Sequence, residues 1–242
     1  MTTEQLRHRM PPILKALKER SLRGRTPVEG LRRTECAYHG WDTVHADAAS
    51  WEPFAPGDAF GGLEAHHCFK GTVTLPEASA GKRVVCLVST GASDIWNNNN
   101  PQFLAYVDGR LVCGLDVNHN EFDLAACAVP GESHELALYV YCNTPARDVF
   151  LRVETAERDD DVTGLYYDLR APYEVCALLA DDDTRAIGIM KHLNRALNLL
   201  DLRDLDSGAF AQSVRDAREY LRTEFYDGFC GRTDATEACV GH

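Results

Sequence analysis

The stretch GLDVNHNEF, Gly114 to Phe122, carries Asp116, Asn118, His119 and Glu121 close together. These side-chain types ligate cations, move protons or hold sugar hydroxyls. On a straight strand, alternate residues share a face. Asp116, Asn118 and Asn120 then point one way, and His119 and Glu121 the other. Asp116 and His119 converge on one ligand only if the strand bends. A polar strand end followed by a turn is the commoner use of such residues. A second stretch, DIWNNNNPQF, sets Trp96 beside Asn97. A flat ring next to amides suits a sugar, by stacking plus hydrogen bonds to hydroxyls. The same residues suit a turn-rich loop ahead of Pro101. The candidate binding residues are therefore Trp96, Asn97, Asp116 and His119. His66 and His67 are adjacent, so on a strand they face opposite ways and make a poor metal pair.

The usual catalytic signatures are absent: no phosphate-binding glycine loop, no dinucleotide fingerprint, no Gly-x-Ser-x-Gly elbow and no His-Glu-x-x-His. A retaining glycosidase needs two carboxyl groups about 5–5.5 Å apart. Sequence alone cannot choose that pair from 37 acidic residues.

The elements that must carry these residues are legible. Leu6, Met10, Leu14 and Leu17 form an apolar helical stripe near the N-terminus, interrupted by Pro11 and Pro12, so one helix or a broken pair is expected. From about Cys36 to Glu154 the chain reads as short strands and turns. Its clearest piece is QFLAYVDGRLVCGL, a hairpin turning at Asp108-Gly109. Phe103, Ala105 and Val107 fall on one face, Leu104 and Tyr106 on the other. HELALYVYC alternates in the same way, and VFLRVETAE reads as one further strand. Three helices are expected beyond it: one started by Pro172, one capped from the Asp181–Asp183 run, and one after Ser207 that Gly228 stops. Thr236 to Val240 has strand character.

The expected fold is α+β. An antiparallel β-sandwich of jelly-roll type is flanked by an N-terminal helix and a C-terminal helical segment. The expected divisions are 1–34 (helical lead-in), 35–157 (sandwich), 158–230 (helical linker) and 231–242 (the start of a further domain).

A formal net charge of −12 argues against nucleic acid and anionic membrane surfaces as partners. The first residues lack the apolar core of a signal peptide, and no run of about 20 apolar residues occurs. Nine cysteines at scattered spacings, with no Cys-x-x-Cys, read as reduced thiols of a cytoplasmic protein.

Five stretches together resemble the α-mannosidases of glycoside hydrolase family 38, especially the large bacterial and cytosolic type. They are WEPFAPGDAFGG (51–62), NPQFLAYVDGRLVCGLDVNHNEF (100–122), GLYYDLRAPYEVC (164–176), LNRALNLLDLR (193–203) and ATEACVGH (235–242). The resemblance implies a non-catalytic portion that precedes a zinc-dependent, retaining α/β catalytic domain acting on α-mannoside oligosaccharides. In the family that domain opens on a Gly-His-x-His-x-Asp signature. His242 matches its first His, which is not a zinc ligand. The ligands would fall two and four residues later, so no catalytic and no metal residue is assigned here, and the chain alone is expected to be inactive. The run Asn97 to Asn100 departs from the family pattern. Two other readings stand beside this one: a free-standing carbohydrate-binding module and a homo-oligomerisation module.

Overall fold

The computed structural model describes residues 3–91, 101–180 and 182–232, with backbone alone at 3–4, 144–148 and 232. Two compact units are formed, one by Met1–Leu22 with Asp159–His242 and the other by Arg23–Arg158. The expected strand at Thr236 to Val240, and Trp96, Asn97 and His242, lie outside the described residues.

The Arg23–Arg158 unit is an antiparallel β-sandwich, as the alternation predicts. Its strands are β1 (Leu22–Pro27), β2 (Arg32–Cys36), β3 (Glu52–Pro53), β4 (Ala59–Thr74) and β5 (Arg83–Ser89), then β6 (Gln102–Val107), β7 (Arg110–Leu115), β8 (Glu121–Ala125), β9 (Ser133–Phe150) and β10 (Arg152–Arg158). Four strands form one sheet in the order β1-β10-β5-β8, and six form the other in the order β3-β2-β4-β9-β6-β7. Phe69, Phe103, Leu136, Leu138 and Val140 of the larger sheet share one core with Val84, Cys86, Val88, Phe122 and Val153 of the smaller. Each such side chain contributes about 1.5–3 kcal/mol by leaving water. The core therefore fixes which face of every strand turns inward, because a one-residue slip would expose the whole set.

The β6–β7 hairpin forms at the expected place. Asp108 and Gly109 both have positive φ, 50° and 72°, as a tight turn matched to the strand twist demands. Asp108 Oδ2 bonds His134 Nδ1 at 2.8 Å, and Oδ1 accepts the Glu135 N–H at 2.9 Å, tying the turn to β9. VFLRVETAE is not one strand. Val149 and Phe150 end β9, paired with Phe60 and Ala59, and β10 begins anew at Arg152 against β5. Leu151 between them is buried in the sandwich core, where the chain passes from one sheet to the other.

The outward face of the six-stranded sheet is half covered. The segment from the 3-10 turn Gly40–His45 to Trp51 lays Val44 and Trp51 over Cys68, Tyr106, Ala137 and Tyr139. Lys70, 7% exposed beneath it, is neutralised by Glu135 at 3.0 Å and donates to the Ala46 carbonyl at 2.9 Å.

The other unit is helical: α1 (Thr3–Arg20), α2 (Asp160–Cys176), α3 (Thr184–Leu199) and α4 (Gly208–Tyr220), followed by a π-helical stretch, Leu221–Phe229. Three caps start helices. Asp159 accepts from the Val162 N–H, Asp183 from Arg185 and Ser207 from Phe210. The apolar stripes meet in one core that includes Leu6, Met10, Leu165, Leu193, Phe210 and Phe225. On α3 the buried position of the first turn is taken by Ala186, and Ile187 is about half exposed.

Three prolines lie inside helices. Pro11 and Pro12 leave α1 a single unbroken helix, one of the two forms expected, and Pro172 lies inside α2 rather than starting it. A proline in a helix removes the N–H that would bond the carbonyl four residues back. The carbonyls so released are those of Arg7, His8 and Asp168. Tyr173 donates its hydroxyl to that of Arg7 at 3.4 Å, and Tyr226 donates to that of Asp168 at 3.1 Å. Gly228 does not stop the last helix. A Cβ there would lie 3.0 Å from the Thr223 carbonyl oxygen, so glycine serves close packing in the wider π turn.

Among the described residues no helix is long and apolar enough to cross a membrane, and no group of three His, Cys, Asp or Glu is placed to hold a metal ion.

Candidate functional site

The uncovered half of the outward face carries the best candidate. Antiparallel pairing sets His66 of β4 opposite Tyr141 of β9, and Tyr141 opposite Gln102 of β6. Register alone therefore places an imidazole, a phenol and an amide in a row, although they come from distant parts of the chain. Tyr139, two residues along β9, shares this face. Its hydroxyl is hydrogen-bonded to His66 Nδ1 at 2.8 Å. Burial holds the His66 imidazole below its ordinary pKa, in keeping with a neutral ring, and pushes the Tyr139 phenol up.

Outward of this row lies a cluster of rings from the turn after β2. Tyr38 is 5.5 Å from His66 between ring centroids, and Trp41 is 6.3 Å from Tyr139. His39 sits between them, 3.7 Å from Tyr38 and 4.6 Å from Trp41. Tyr38 is 71% exposed and Trp41 41% exposed. Large rings so open to water on a sheet face, in mutual contact, are unusual for a surface that only needs to be solvated.

Backbone strain gathers at the same place. Only three non-glycine residues among those described have positive φ: His39 (59°), Glu64 (54°) and Asp108 (50°). Asp108 is explained by its turn. His39 and Glu64 both belong to the aromatic face. Each costs about 1–2 kcal/mol relative to ordinary backbone, and such costs concentrate at ligand sites. Glu64 sits where β4 slips register twice against β9, between Phe60 and Ala65. Bulges of this kind re-aim a side chain. Here the carboxylate accepts the Tyr141 hydroxyl at 3.1 Å.

Beside the rings is a cavity of about 360 Å³, lined by Gln102, Leu104, Gly114, Asp116, His119, Tyr139 and Tyr141 among others. Asp116 and His119 are thus brought together, against the straight-strand expectation. β7 ends at Leu115 and the chain turns, closed by the Asp116 N–H on the His119 carbonyl at 2.9 Å. Asp116 Oδ1 accepts the N–H groups of Asn118 and His119, both at 2.7 Å. The His119 N–H leads the contacts that hold the Asp116 carboxyl below its usual range. Asp116 is therefore a turn-former that presents an ionised carboxylate. His119 remains 82% exposed at its side chain, 3.4 Å from Asp116. His67, by contrast, points inward, fully buried, with Nε2 at 3.1 Å from the Gly61 carbonyl.

Sequence reasoning did not single out Tyr38, Trp41, Glu64, His66 or Tyr141 as binding residues. One signal was present: CAYHGW, Cys36 to Trp41, packs three ring-bearing residues around a glycine. The pairing of His66 with Tyr141 has no local signature, because it depends on strand register.

No family model matches the chain, and no curated protein matches it. Solved structures similar to it include three β-glucuronidases. That of Bacteroides uniformis is 11% identical, with a TM-score of 0.42, over 55% of this chain and 18% of that one. That of Ruminococcus gnavus with D-glucuronic acid is 8% identical, TM-score 0.42, over 57% and 30%. That of Faecalibacterium prausnitzii is 13% identical, TM-score 0.38, over 56% and 32%. The chain spans less than a third of the length of each. These are glycosidases, but not α-mannosidases. The resemblance to family 38 is therefore withdrawn, and with it the zinc and the retaining α-mannoside chemistry that it implied. The stretches that carried it have a physical explanation. YVDGRLVCGL is dictated by a tight hairpin, and LNRALNLL by an amphipathic helix. Such patterns recur wherever the same packing recurs.

Proposed function

We propose that the sandwich is a carbohydrate-binding module, with the open half of the six-stranded sheet as its recognition surface. The observation that carries this reading is the contact cluster of Tyr38, Trp41, His66 and Tyr141 beside the cavity of about 360 Å³. A pyranose presents C–H groups on one face and hydroxyls at its rim. Exposed rings take the first, while Gln102, Asp116 and His119 offer donors and acceptors for the second. Binding rather than cleavage fits the titration of Asp116. A general acid needs a raised pKa, and Asp116 is held in its ionised form. Seven described cysteines, Cys36, Cys68, Cys86, Cys113, Cys127, Cys142 and Cys176, are free thiols, which supports a reducing compartment such as the cytoplasm.

The test is calorimetry of the full chain against a panel of oligosaccharides. Tyr38→Ala and Trp41→Ala should each weaken binding by about tenfold or more, the scale of a lost stacking contact. Binding unaffected by both substitutions, or no binding across the panel, would overturn the proposal.

One observation favours self-association as a second reading. β7 is an edge strand whose Leu111 and Val112 are 58% and 44% exposed. An open apolar edge invites pairing with a second copy. Sedimentation velocity of the parent and of Leu111→Lys decides it: a dimer that the substitution dissolves supports this reading, and a monomer removes it.

A further inference from the structure

We infer that this face, read as a carbohydrate surface, prefers a sugar bearing a free amine, a hexosamine unit, over neutral or acidic sugars. The inference rests on the proposed binding role and adds its ligand class.

Three independent features of the face agree. First, carboxylates border it on both sides. Glu64 lies at the Tyr141 edge, bound to the phenol at 3.1 Å, and the backbone strain at φ 54° holds it there. Asp116 lines the cavity. Its described contacts, from the Asn118 and His119 N–H groups and the His119 ring, all fall on Oδ1, which leaves Oδ2 for a ligand. Second, among the described residues no lysine or arginine lines the cavity. Under the covered half, Lys70 is matched by Glu135 and the Ala46 carbonyl, and Arg32 donates to the Ala49 and Trp51 carbonyls. The fixed charge described at the cavity is therefore negative, in a chain whose net charge is −12. Third, the exposed rings of Tyr38 and Trp41, and the half-buried ring of Tyr141, present π faces, which attract an ammonium group and give a carboxylate nothing. A cation between a carboxylate and a ring gains twice, a hydroxyl gains a hydrogen bond, and a uronate meets like charge.

The imidazoles on this face are His39, His66 and His119; His66 is buried and bonded to Tyr139, and the other two are exposed. The measurement is made at pH 7.0, where an amine with a pKa of about 7.7–8.0 is mostly protonated.

The test is titration of the full chain, followed by tryptophan fluorescence and calorimetry, with four tetrasaccharides: glucosamine with free amines, its N-acetylated form, glucose, and glucuronate. The free-amine ligand should bind about tenfold tighter than the glucose ligand, and the advantage should shrink in 0.5 M salt, where the Debye length is only about 4 Å. The glucuronate ligand should bind weakest. Glu64→Gln and Asp116→Asn, both isosteric, should move the ratio of amine to neutral affinity toward one, with thermal melts reporting that each variant is folded. Equal affinity for amine and neutral ligands, a preference for glucuronate, or an amine preference that survives both substitutions would overturn the inference and leave the carbohydrate role standing. Binding of none of the four would overturn both.

Discussion

Tyr139→Phe isolates the hydroxyl on which the aromatic face is organised. The ring stays, so packing against Val44, Trp51 and Ala137 is kept. What goes is one hydroxyl that bonds His66 Nδ1 at 2.8 Å. That hydrogen bond is worth about 1 kcal/mol. His66 is only 8% exposed, so water reaches its orphaned nitrogen poorly, which adds a fraction of the roughly 1–3 kcal/mol cost of an unsatisfied buried polar atom. The net expectation is about 2 kcal/mol. All three tryptophans, Trp41, Trp51 and Trp96, lie in the sandwich unit, so urea unfolding followed by tryptophan fluorescence reports on that unit. With an m-value of about 2 kcal/mol/M the midpoint should fall by about 1 M. Adding His66→Phe should recover part of the loss, because removing both partners of a buried hydrogen bond costs less than removing one. A midpoint that moves by less than about 0.3 M, or a double variant that is additively worse, would refute the reasoning.

The remaining expectations concern other parts of the chain. Asp108→Ala should cost about 2 kcal/mol in the same unfolding assay, by removing the bonds to His134 and to the Glu135 N–H, while Asp108→Asn keeps part of them. Gly188→Ala should lower the helical melt seen at 222 nm by about 1 kcal/mol. Its Cβ would stand 2.4 Å from the Phe229 ring, and displacing that ring from His192 and Phe225 outweighs the helix propensity gained. His66 should make the sandwich less stable in mild acid. Its folded pKa lies below the ordinary 6.5, so the unfolded chain binds the extra proton first; the contribution is whole above 6.5 and is lost as pH falls through the folded value. Proton NMR titration of the imidazole should find that lowered value, and a His66 midpoint at or above 6.5 contradicts it.

The architecture was legible wherever a local rule decides. Asp108-Gly109 demands a tight turn, and alternation along Phe103 to Val107 sorts the core face from the outer face. Ser207 and Asp183 announce helices by their capping oxygens. Legibility fails where a distant residue rewrites the local rule. Pro172 reads as a helix start until Asp159 caps the chain upstream and Tyr226, far downstream, satisfies the carbonyl that the proline releases. Asp116 and His119 read as opposed until the strand ends one residue earlier than a straight reading assumes. The candidate site fails most completely, because it is made by register. Nothing near His66 in sequence announces Tyr141, and only the completed β4–β9 ladder puts them side by side.

Two of the helix-borne prolines, Pro11 and Pro172, have a consequence for how the helical unit finds its alignment. Apolar stripes match approximately at several offsets, since a shift of three or four residues brings similar side chains into register. A carbonyl left open by proline is a single mark on an otherwise uniform rail. Sliding a helix by one residue moves that mark about 1.5 Å along and 100° around, out of reach of a phenol. With Tyr173 reading the Arg7 carbonyl on α1 and Tyr226 reading the Asp168 carbonyl on α2, each interface has an indexed position. Pro172→Ala would mend α2 as an isolated helix and erase the index, so a stiffer helix would come with a less singular fit.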